Sequence, residues 1–116
     1  MKLKLIMALV SVDRTGTVVE AAREAGATGA TIITSVRGEG LKPQTTFLGL
    51  DLSGQRDVLL FMVAEQKARQ ILETIAEAGE FDSAPGAGVA FEISIDDAVG
   101  MSTQLPTLLE EIEDKL

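Results

Sequence analysis

Apolar residues crowd the start of the chain, "MKLKLIMALV", and leave almost no polar face. Residues 3 to 10, "LKLIMALV", fit a buried strand by length and apolar content. The period then changes. In "DRTGTVVEAAREAG", Val18, Ala21, Ala22 and Ala25 recur at helical spacing, Thr15 or Thr17 stands where a cap belongs, and Gly26 is a natural stop. Residues 30 to 37, "ATIITSVR", are rich in β-branched side chains and predict a second strand. Gly38, Gly40, Pro43, Gly49 and Gly54 interrupt residues 38 to 56, although "TTFLGLDL" inside that stretch has strand character. A connection of that length is uncommon in a small domain and tends to be functional. "DVLLFMV", residues 57 to 63, predicts a third strand. "EQKARQILETIAEAG" is the clearest helix, with Ala68, Ile71, Leu72, Ile75 and Ala76 on one stripe and Gly79 at its end. "SAPGAGVAF" leads into a fourth strand, "VAFEISI". "TQLPTLLEEIEDKL" places Leu105, Leu108, Leu109, Ile112 and Leu116 on one face of a short amphipathic tail helix.

The order β-α-β-β-α-β predicts an α+β, ferredoxin-like sandwich with a long loop between strands 2 and 3. Residues 1–101 form that domain and 102–116 are its C-terminal tail. Right-handed crossovers put both helices on one face of the sheet and leave the other bare. Yet the first strand is apolar on both sides: Leu3, Leu5, Met7 and Leu9 on one, Ile6, Ala8 and Val10 on the other. Something must cover the second face, and the simplest cover is another copy of the chain.

Composition narrows the function. The 116 residues are 46% hydrophobic, enough for a real core, and with four Phe, no Trp and no Tyr that core is aliphatic. The net charge of -8 and the scattered basic residues argue against nucleic acid and against anionic membrane surfaces, which need a positive stripe. The N-terminal Lys-flanked apolar run is short and soon meets Asp13, so it is read as a strand and not as a signal peptide. No apolar segment approaches the ~20 residues of a membrane span. The absence of Cys suits a reducing, cytoplasmic setting. With no His for proton transfer and no Cys nucleophile, an enzyme is not expected. Adjacent Asp96 and Asp97 are a weak metal signal without softer ligands nearby, and read better as a turn or helix cap. Glu110, Glu111, Glu113 and Asp114 make a solvated face.

"PGAG" poses the sharpest local question. Glycine loops that cradle phosphate usually open a helix, whereas this one opens a strand. It is either a turn or a set of backbone amides aimed at an anion.

The strand "KLKLIMALV", the helix ending "AREAGATGATI", the strand entering "VRGEG", the long loop and the segment "PGAGVAFEISIDDAVGM" together resemble the PII family of signalling proteins, from about residue 2 to residue 101. The resemblance implies a compact homotrimer whose sheets line a central core. It implies adenine nucleotides in clefts between subunits, and no resident cofactor. It makes the loop after strand 2 the T-loop, which engages a target protein, in divergent members a membrane transporter. It makes "PGAG" the phosphate-holding B-loop. Implied ligand residues are Arg37, Gly38, Glu39 and Gly40 at the T-loop base and Pro85, Gly86, Ala87, Gly88 and Val89 in the B-loop; Phe47, Leu48 and Leu50 are candidates for partner contact or for packing a hairpin extension. Arg37 is equally an exposed strand-end residue, and Glu39 could balance Lys42 or Arg56 or be solvated.

Departures from the family pattern bear on the ligand. Val89 stands where ATP-binding members carry Lys, and Gly100 and Ser102 stand where they carry arginines. Each missing charge-assisted hydrogen bond is worth roughly 1.5–3 kcal/mol. AMP or ADP is therefore expected to bind at least as well as ATP. Tyrosine nucleotidylylation, known in parts of the family, is excluded because no Tyr exists. The competing expectation is a trimeric module of the same fold that binds no nucleotide and serves a metal-tolerance or structural role. The segment 40–55 is expected to be the first to be cut by a protease.

Overall fold

The computed structural model describes residues 2–36 and 55–100, together with Glu110. Strand β1 runs Leu3–Ser11, one short turn (Val12–Arg14) leads into helix α1 (Thr15–Ala25), and β2 is Thr31–Val36. Strand β3 is Arg56–Ala64, helix α2 is Glu65–Ala78 and β4 is Gly88–Ser94. The strands form one sheet in the order β2-β3-β1-β4. Every neighbouring pair is antiparallel. This is the ferredoxin-like α+β arrangement that the alternation of periods predicts. The segment 37–54 and nearly all of the tail lie outside the described residues, so the T-loop, its proteolytic sensitivity and the terminal helix do too.

Ile6, Ala8 and Val10 of β1, with Leu59, Phe61 and Val63 of β3, face the helices and are buried. They meet Val18 and Ala22 of α1 and Ala68, Ile71 and Ile75 of α2, all fully buried. These helix residues recur at three- and four-residue spacing, so each helix turns one stripe to the sheet. Lys4 interrupts the apolar pattern on this face and pairs with Glu92 of β4 at 3.0 Å.

The opposite sheet face is also apolar. The register places Leu5, Met7 and Leu9 of β1 beside Met62, Leu60 and Val58 of β3 and beside Ile93, Phe91 and Val89 of β4. Only Leu9 is buried there; the others are half-buried, and no helix covers them among the described residues. At the sheet edge, Ile32 and Ile33 of β2 are exposed.

One helix start differs from expectation. Neither Thr15 nor Thr17 caps α1: Arg14 occupies the cap position without a side-chain capping bond, and both threonines lie inside the helix. The Thr15 hydroxyl donates to Asp57 Oδ2 at 2.6 Å, so a residue distant in sequence takes it from the local amides.

The candidate anion loop

At one end of the sheet, Ser11 pairs with Arg56 and Val10 with Gly88. The end of β1, the start of β3 and the start of β4 therefore meet there, with the start of α1 close behind. A two-residue step on β3 from Val58 to Arg56 matches a three-residue step on β2 from Ile33 to Val36, an irregularity that bends the edge strand at this end.

The loop between α2 and β4 is built by packing as much as by turn chemistry. Gly79 closes α2, its amide donating to Ile75 O at 2.9 Å. Glu80 adopts a positive φ of 56° and pairs with Arg14. Phe81 then turns back beneath the loop and packs against the core. A Cβ on Gly79 would lie 2.7 Å from Phe81 Cδ1, and a Cβ on Gly88 would lie 2.8 Å from the same atom and 2.7 Å from Leu9 O. Both positions need glycine because the Phe81 ring sits between them.

Residues 84 to 87 form a β-turn. The Ala87 amide donates to Ala84 O at 3.0 Å, and Gly86 has φ 74°. Proline second and a positive-φ glycine third are the requirements of a type II turn. So "PG" is a turn, and its local form is fully explained. Arg56, only 7% exposed, then locks it: its Nη1 donates to Ala87 O at 3.0 Å and its Nη2 to Gly86 O at 2.6 Å. The Gly86 amide donates to no described residue.

Of the residues expected at the site, Pro85, Gly86, Ala87, Gly88 and Val89 form this loop and the start of β4. Val89 packs with Leu9 on the open sheet face. No charge reaches the loop from its position. Gly100 has φ 84° with open space around it. Arg37, Gly38, Glu39, Gly40, Phe47, Leu48, Leu50 and Ser102 lie outside the described residues. The Asp97 carboxylate accepts from the adjacent Ala98 amide at 3.0 Å, in a stretch, 95–98, that forms neither a helix nor a turn. Among the described residues no three acidic side chains gather as a metal site would require.

Arg56, weighed from sequence only as a loop partner of Glu39, and Asp57 and Phe81, which sequence reasoning passed over, all help to build this end of the sheet. The signal for the first two is a charged "RD" pair abutting "VLLFMV", where strand pairing forces them into the interior. The signal for Phe81 is one aromatic isolated between Glu80 and Asp82. A groove of about 230 Å³ adjoins the loop between α2 and β4, lined by Leu72, Ala76, Phe81 and Val89 and by the charged Arg69, Glu73 and Asp82. It falls below the ~300 Å³ at which ligand pockets usually begin.

Comparison with known proteins agrees with the topology. The chain is similar to a PII-like signalling protein from Thermus thermophilus, with 28% identity and a TM-score of 0.59, covering 82% of this chain and 91% of that one. A search of curated proteins returned no match. The pattern of the family described as nitrogen regulatory protein P-II matches residues 3–104. With that match spanning most of the sequence, and the sheet order and helix placement as described, the chain belongs to the nitrogen regulatory protein P-II family.

Proposed function

We propose that the protein is a regulatory sensor: a homotrimer that binds an adenine nucleotide beside the 84–88 loop, in clefts between copies, and signals to a target protein through the segment after β2. On the terms of the family resemblance that target is a membrane transporter. Among the described residues no helix is long and apolar enough to cross a membrane.

The observation that carries the assembly is the uncovered apolar face. Leu5, Met7, Leu60, Met62, Phe91 and Ile93 are half-buried on a sheet side that no described helix covers. Completing the burial of such a side chain contributes on the order of 1 kcal/mol, about half of the full transfer value. Six of them on each of three copies favour a closed assembly over a monomer. Ligand binding is supported by the loop: its turn is fixed before any ligand arrives, and the Gly86 amide is not engaged by a described residue. With Val89 in place of a cation, the loop favours ligands of low charge, AMP or ADP over ATP.

One finding favours the second reading, a module of the same fold that binds no nucleotide. The Phe81 ring explains Gly88 and the type II turn explains Gly86, so neither glycine requires a ligand. Thermal shift separates the two. A sensor is stabilised by AMP, ADP or ATP; the silent module responds to none of them.

A further inference from the structure

We infer that Arg56 is a positioning residue for the loop: it fixes the backbone that faces an anionic ligand and does not contact the ligand itself. This rests on the reading of residues 84–88 as the anion site. Arg56 begins β3, where pairing with Ser11 holds its backbone. Its side chain is buried, with the two terminal nitrogens on two successive carbonyls, Gly86 O and Ala87 O. A forked guanidinium can hold both at once, whereas an ammonium is a point charge.

The geometry has a consequence for the amides. A peptide group is planar and trans, so its N–H points opposite to its C=O. Drawing the carbonyls of Gly86 and Ala87 toward β3 turns the amides of Ala87 and Gly88 away from it. The Ala87 amide closes the turn on Ala84. Arg56 thus holds the third and fourth peptide groups of the 84–88 loop in one orientation, and beside them the Gly86 amide, in the preceding peptide group, donates to no described residue. It also satisfies two carbonyl oxygens that would otherwise repel a phosphate. The positive charge missing at Val89 is present in the site, but behind the backbone.

The experiment compares the wild type with Arg56→Lys and Arg56→Ala. Amide hydrogen exchange is read at Ala87 by NMR, and the affinities of AMP, ADP and ATP by calorimetry. Circular dichroism checks the fold. In Arg56→Lys, which keeps the charge but not the fork, Ala87 exchange accelerates at least tenfold while Ile6 and Leu59 keep their protection. Affinity falls at least tenfold, and by a similar factor for the three nucleotides. Ethylguanidinium added to Arg56→Ala restores affinity, and sodium chloride at equal concentration does not. A loss that grows with each added phosphate would mean direct contact and would overturn the proposal, as would a Lys variant with wild-type exchange and affinity. If the wild type binds none of the nucleotides, the anion-site reading falls and the ligand-facing role falls with it. Exchange at Ala87 still decides whether Arg56 fixes the turn.

Discussion

Replacing Gly88 with Ala inserts one methyl group where the structure has no space for it. The new Cβ would lie 2.7 Å from Leu9 O and 2.8 Å from Phe81 Cδ1. The carbonyl belongs to the main chain of β1, in register with β4, and cannot move without disturbing that pairing. The ring can move only by leaving its place between Gly79 and Gly88, since Gly79 is as tightly apposed to it. Overpacking of this kind costs about 1–3 kcal/mol. Displacing a partly buried Phe adds about 1 kcal/mol of lost burial. The sum is about 2–4 kcal/mol, and at roughly 4–8 °C per kcal/mol for a domain near this size the melting midpoint falls by about 10 °C or more. Gly16→Ala is the matched control, because Gly16 lies in α1 with nothing within 4 Å of a new Cβ. It should gain about 0.5–1 kcal/mol. The assay is thermal and urea unfolding of both variants at one fixed protein concentration. Gly88→Ala melting within about 2 °C of wild type, at most half of the shift for a single kcal/mol, would refute the packing argument. A Gly88 variant is for the same reason a poor probe of ligand binding, since it loses the loop and the ligand together.

Three further outcomes are expected. Thr15→Val removes a hydrogen bond to a buried carboxylate and should cost about 1–2 kcal/mol in urea unfolding, with Thr15→Ser keeping most of it. Arg14→Ala breaks the pair with Glu80, whose partners are 40% and 49% exposed, so the loss should stay below about 1 kcal/mol and vanish in high salt. Leu60→Glu, on the open face, should yield a folded monomer of 12.2 kDa by light scattering where the wild type gives three times that mass; a wild-type monomer would remove the basis for intersubunit clefts.

The elements are legible where one period dominates. The stripe Ala68, Ile71, Ile75 announces α2, and the doubly apolar β1 announces an uncovered sheet face; both follow from local geometry alone. Thr15 misleads as a cap because an N-cap is a local choice, whereas its hydroxyl is taken by Asp57 from another strand. Arg56 reads as a loop cation because nothing local shows that β3 starts at it and draws it inward. The glycines of "PGAG" are legible as special, but the reason is not. Gly86 follows from turn chemistry visible in "PG", while Gly88 depends on where the Phe81 ring comes to rest, which no sequence window contains.

Titration calorimetry of the wild-type protein with AMP, ADP and ATP, at low salt, tests the sensor reading most directly. The loop offers the Gly86 amide and a guanidinium engaged on its own carbonyls, and Val89 beside it packs against Leu9 and brings no charge. Each added phosphate brings charge that this loop does not meet, and each absent cationic contact corresponds to about a tenfold factor or more in affinity. The account predicts saturable heat with AMP and ADP at affinities equal to or tighter than that of ATP. ATP binding clearly tighter than both would contradict the charge argument, and no heat with any of the three would contradict the sensor itself.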